Sequence, residues 1–212
     1  MQTAPDVLLL LVVLTNFVVL GTTRLSAGVR AVAVQGLLLG LLPLTLASSV
    51  SFHIVTLSAG TVIVKGIVLP YFLMWAIREA AVRREIEPVV GYIASLLLGA
   101  LALALAFAIA AHLPLPAEQQ ALLVPVSLAT VMIGFIVLTS RRKALTQVVG
   151  YLMLENGTYL FGLTHAESVP FLLEIAVLLD VFVGVFIMGI VVFHINREFD
   201  SLDSAHLSEL RD

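Results

Sequence analysis

The chain has no cysteine, which excludes a disulfide, a thiolate metal site and cysteine ligation of an iron–sulfur cluster in this polypeptide. Charge is scarce as well. Only 12% of the 212 residues are Asp, Glu, Lys or Arg, against about 25% in an ordinary soluble domain. A Gly-rich nucleotide loop, a nucleophile–base set and metal-ligand spacing among the five histidines are also missing. Covalent chemistry by this chain alone is therefore not expected. The segment Met1 to Asp6 puts no basic residue ahead of the first apolar run, so that run reads as a retained helix and not as a cleaved signal.

What is abundant is hydrocarbon. Hydrophobic residues make up 60% of the chain and the mean hydropathy is +1.11, the composition of an integral membrane protein. Seven apolar runs can be marked, each near the ~20 residues that cross a bilayer. They are Val7–Thr22, Val29–Ala47, His53–Ile77, Val89–Ala111, Ala121–Thr139, Ala144–Leu163 and Val169–Ile195. An all-α, polytopic protein with seven transmembrane helices is expected. Connections are brief, and only the acidic tail of residues 198–212 is an extended polar segment.

All of the eleven Lys and Arg residues except Lys65 fall after the first, third and fifth runs or in the tail. The opposite loops, around Ser48–Ser51, His112–Gln120 and Thr164–Ser168, hold none. The positive-inside rule then puts the N-terminus outside and the C-terminus in the cytoplasm. Runs one to three laid beside five to seven also suggest a parallel repeat. Each triplet has a basic loop after its first run (Arg24 and Arg30; Arg141 to Lys143) and an early glycine in its second (Gly36; Gly150). Each third run has a central glycine and closes on Arg-Glu (Gly66 with Arg78-Glu79; Gly184 with Arg197-Glu198). Chance similarity among Leu/Ala-rich helices is the alternative. The organisation expected is a three-helix unit at 1–88, a connecting helix and outer loop at 89–120, a second three-helix unit at 121–197, and the tail.

Ionisable side chains inside such runs cost about 2.5–3.5 kcal/mol each on insertion scales, and so mark function by default. Lys65 lies 12 residues into its run and Glu155 lies 12 beyond Lys143, roughly 18 Å in each case by helical rise. Asp180 lies roughly 16 Å from the outer boundary by the same measure. All three fall near the middle of a ~30 Å hydrocarbon core, with Glu174 shallower. A row of acids and bases at that depth is what proton transfer between half-channels needs. Lys65, Glu155, Asp180 and Glu174 are thus the candidate relay, and a structural ion pair between helices is the competing reading. Asn156, beside Glu155, either orients it or packs helices. Pro70 cannot donate to the carbonyl four residues back, which frees the Gly66 carbonyl next to Lys65 and predicts a kink or local water site. Gly184 would allow close packing or a bulge in the last run. The interfacial His53, His112 and His165 read as solvated, with proton entry the alternative.

Residues Arg141–Asp212 resemble the NuoK subunit of complex I and its Mrp-antiporter relative. The shared layout is a basic loop, a helix with Gly150 and Asn156, and a final helix whose acid, Asp180, stands four residues before Gly184. Leu152 occupies the position of the family's first acid, and Glu155 comes three residues later. Nearly the whole chain, including Lys65-Gly66, Ile77-Arg78-Glu79 and Arg83-Arg84-Glu85-Ile86-Glu87-Pro88, is similar to component E of the hydrogenase-4 and formate hydrogenlyase type. The resemblance implies a cofactor-free membrane subunit of a complex I-like hydrogenase, contributing buried charges to proton translocation. Nickel–iron and iron–sulfur centres would then belong to partner subunits. Expected neighbours are antiporter-like and other membrane subunits, a peripheral hydrogenase arm and lipid, but no nucleic acid. A Mrp-type cation/proton antiporter subunit without redox partners, or a passive scaffold, are the alternatives.

Overall fold

A computed structural model describes residues 3–47, 51–79, 89–113, 122–164, 179–180 and 182–189. These residues form helices and no strand. We number the helices α1 (Thr3–Gly21), α2 (Leu25–Leu46), α3 (Phe52–Glu79), α4 (Tyr92–His112), α5 (Leu123–Ser140) and α6 (Ala144–Leu163). Residues 179–180 and 182–189 are also helical. Helices α1 to α5 are each long and apolar enough to cross a membrane, and the chain is an all-helical membrane protein. The 20-residue α6 is less apolar because it carries Gln147, Glu155 and Asn156.

Helix ends follow local chemistry. Helix α1 starts at Thr3, earlier than the apolar run, since Pro5 is tolerated in a first turn and Asp6 complements the positive end of the helix dipole. Helix α2 starts at Leu25, so Arg30 sits on an exposed helical face and not in the loop expected for it. At the start of α3 the Ser51 hydroxyl accepts from the Ile54 amide at 3.3 Å, a side-chain N-cap.

Helix α2 packs on α1, α3 and α6, and α5 packs on α1, α4 and α6. Lipid tails remove the hydrophobic drive between helices, so close backbone contact becomes the main gain. The α5–α6 pair achieves it with glycines. A Cβ on Gly150 would lie 2.5 Å from the Leu138 amide nitrogen, and one on Gly157 would lie 2.6 Å from that of Val131. With Gly134 against Leu154, these pairs define a steady antiparallel register. Gly36 and Gly40 give α2 the same approach to α3: a Cβ on Gly36 would lie 2.6 Å from the Lys65 carbonyl. Gly36 and Gly150, aligned by the suggested repeat, therefore meet different neighbours.

The buried residues form two apolar clusters with a polar layer between them. One cluster, including Leu20, Val29, Leu73, Ala76 and Val137, fills the end where α1, α3 and α5 finish. The other, including Leu9, Val12, Leu39, Leu42 and Val126, fills the opposite end. Asn16, Gln35, Thr61, Lys65, Thr130, Glu155, Asn156 and Asp180 are buried in between. Among the described residues, the basic side chains other than Lys65 belong to the end of the first cluster.

Arg141 departs from its expected place in a solvated basic loop. It is only 2% exposed. Its Nη2 donates to the Leu20 carbonyl at 2.9 Å, and its cation lies 4.5 Å from the Tyr92 ring centroid. Helix α1 has no basic residue in its own last turn, so Arg141 supplies the cation that its negative end favours.

Candidate functional site

Pro70 shapes the helix that carries Lys65. With no N–H to give, proline interrupts the α ladder, and the turn before it widens into a π-helical segment, Val62–Val68. The Leu69 amide closes this segment onto the Val64 carbonyl, five residues back. The expected disturbance near Gly66 and Pro70 is thus a π turn with Lys65 at its centre. Such turns recur at functional sites. Gly36 lets α2 press on the Lys65 backbone from one side, and Gly66 sits close to the Leu37 side chain.

The Lys65 side chain is buried and bridges two acids. Its Nζ donates to Glu155 Oε1 at 2.8 Å and to Asp180 Oδ1 at 2.9 Å. Both carboxylates are only 2% exposed. Three residues placed at one depth from helical rise alone are thus in direct contact, from α3, from α6 and from the helical residues beyond 178. Ion pairs of this length with an ionised donor are the strong kind of hydrogen bond. One cation serves two carboxylates, and Glu155 Oε2 has no hydrogen-bond partner among the described residues. Leu152 packs in the apolar cluster at the basic end, while Glu155, one turn on, meets Lys65.

Asn156 does not turn to Glu155. Its Nδ2 donates to Gln35 Oε1 at 2.9 Å. Gln35 Nε2 in turn donates to Asn16 Oδ1 at 2.8 Å and to Thr15 Oγ1 at 3.2 Å. Asn16 Nδ2 donates to Thr130 Oγ1 at 2.9 Å, whose proton goes to the Val126 carbonyl at 2.8 Å. This amide ladder crosses α6, α2, α1 and α5. Sequence reasoning missed Asn16, Gln35 and Thr130. The signal was available, because each is a polar residue well inside an apolar run.

A hydroxyl pair borders the triad on its other side. The Thr61 hydroxyl donates to the Leu57 carbonyl at 2.9 Å, so Tyr159 is the donor in its 3.2 Å contact with Thr61. The Tyr159 ring centroid lies 5.8 Å from Lys65 Nζ. At Gly184 an added Cβ would lie 3.9 Å from Leu69, an ordinary contact, so close packing is not demanded there. Glu174, His165 and the tail lie outside the described residues.

No family model matches the chain, and no solved structure matches it. Among characterised proteins, it is 28% identical over 155 residues to component E of hydrogenase-4 from Escherichia coli K12, covering 73% of this chain and 72% of that one. The same figures hold for hydrogenase-4 component E of Shigella flexneri. A closer identity, 32% over 203 residues, relates it to the uncharacterised protein Rv0085 of Mycobacterium tuberculosis. Because that likeness spans 94% of this chain and 92% of its relative, the chain belongs to the family of Rv0085.

Proposed function

We propose that the chain is a membrane subunit of a hydrogenase-type complex, in which Lys65, Glu155 and Asp180 pass protons. The distant similarity to hydrogenase-4 component E supports the complex. The observation that carries the proton role is one lysine bridging two buried carboxylates at the centre of the bundle. A proton on Glu155 leaves Lys65 paired with Asp180 alone, and a proton on Asp180 reverses the pairing. The two states differ by a small movement of the ammonium group, which suits a relay driven by charge changes elsewhere. With no cysteine in the chain, iron–sulfur and nickel–iron centres would sit in partner subunits. Glu174 would extend the relay toward the outer face, the N-terminus would lie outside, and the C-terminus would lie in the cytoplasm.

Asp180→Asn tests this in the assembled complex reconstituted into sealed vesicles. Proton uptake coupled to hydrogen turnover should be lost, and Asp180→Glu should restore it. Normal coupling with Asp180→Asn overturns the assignment. Co-purification of nickel–iron and iron–sulfur polypeptides tests the complex itself; a cation/proton antiporter would come without them.

A further inference from the structure

We infer that the triad exchanges protons with water at the end of the bundle opposite the basic residues, along one face of α3. This rests on the proton-relay reading and adds its direction of access.

A cavity of about 230 Å³ lies against α3, lined by His53, Thr56, Thr61, Tyr159, Lys65 and Asp180 among others. His53 is exposed in the first turn of α3, and Lys65 follows 12 residues later, roughly 18 Å along the axis. Positions 53, 56, 60 and 64 are spaced by three and four, so they share one face of the helix. The cavity therefore runs from an exposed ring to the buried ammonium and carboxylate. A water in the liquid takes ~30 Å³, which leaves room for a file of several. The Thr56 hydroxyl donates to the Phe52 carbonyl at 2.9 Å, and that of Thr61 to Leu57, so both oxygens keep lone pairs to accept from water. Leu57 and Val64 make part of the wall hydrocarbon. On the other side of the triad, Leu69, Val183 and Ile187 are buried in the apolar cluster of the basic end.

The absence of native cysteine makes single thiols a clean probe. Gly60 lines the cavity, and a Cβ there meets nothing within 4 Å, so Gly60→Cys leaves the packing undisturbed. Leu101, 55% exposed midway along α4 and outside the cavity lining, serves as the control. In the full complex in sealed vesicles of known orientation, each thiol is challenged with a membrane-impermeant trimethylammonium methanethiosulfonate. Gly60→Cys should react at least roughly ten-fold faster than Leu101→Cys, since the reactive thiolate is suppressed in hydrocarbon. The reaction should occur from the side where α3 begins. Equal rates, labelling from the basic side, or labelling of a Thr56→Cys variant alone would each overturn the path. Labelling needs no turnover, so a failed relay and a failed path are distinguishable: fast Gly60→Cys labelling with normal pumping by Asp180→Asn would retain the path and reject the relay.

Discussion

Removing the lysine should harm the protein more than removing either acid. In Lys65→Met the side chain keeps most of its length, but two carboxylates bonded at 2.8 and 2.9 Å lose their shared cation. Taking one partner from a buried ion pair costs about 3–5 kcal/mol, because a charge remains without compensation. Glu155→Gln is different. It leaves Lys65 and Asp180 as a one-to-one pair, and the amide oxygen can still accept from Nζ. The loss is then the gap between a charge-assisted and a neutral hydrogen bond, about 1–2 kcal/mol. Replacing all three residues together by Met, Leu and Leu should recover much of the Lys65→Met penalty, since apolar substitutes for buried ion clusters are often neutral or better. The assay is denaturant unfolding of the purified chain in mixed micelles, followed by helical circular dichroism. If Lys65→Met costs no more than Glu155→Gln, or if the triple variant is as unstable as the single changes added together, the charge pairing described for the triad is wrong.

Three further outcomes follow from the packing. Gln35→Leu removes hydrogen bonds to Asn16, Thr15 and Asn156 and should destabilise the bundle by about 1–2 kcal/mol, toward the upper end for bonds between membrane helices; the same unfolding assay reads it. Gly36→Val puts a branched side chain against the Lys65 carbonyl, so a Lys65-to-Glu155 crosslinking or distance measurement should show α3 displaced, whereas Gly60→Ala should change nothing. Arg141→Gln loses the cation at the end of α1 and its stacking on Tyr92, for a cost of about 1–2 kcal/mol, and should speed amide exchange in the last turn of α1.

The charged triad was legible because an ionisable group in an apolar run stands out, and helical rise fixes its depth without knowledge of the fold. Its neighbours were less visible for physical reasons. Asn16 and Gln35 are neutral amides, cheaper to bury than charges, and their significance depends on which way four helices are rotated. Arg141 looked like its neighbours Arg142 and Lys143; only the position of the α1 terminus and of Tyr92 separates it from them. Pro70 announced an interruption of the ladder, yet the choice between a kink and a π turn also involves the contact of Gly36 with Lys65, 29 residues apart in sequence. Gly36 was noticed only as a mark of the suggested repeat, and its pairing with Gly40 was not, although small residues four apart are the usual device for helix contact in lipid. The start of α2 was placed at Val29, four residues late, and Arg30 was counted with the loop, when an exposed helical face holds an arginine equally well.

The polar layer has two parts with different electrical character, and helix α6 joins them. Neighbouring helical residues point about 100° apart, so Glu155 reaches Lys65 while Asn156 reaches Gln35 across a different interface. The amide ladder is neutral. Its bonds among α1, α2, α5 and α6 do not depend on where a proton sits in the triad. The triad, by contrast, is held by ion pairs, and its movable member is a long lysine side chain on a π turn. Under the proposed relay, a change of charge would leave the ladder's four helices held in register, and its mechanical consequence would fall on Lys65 and the segment around it. A bundle held only by ion pairs would loosen whenever one partner lost its charge; here the neutral framework and the charged groups are adjacent but chemically separate.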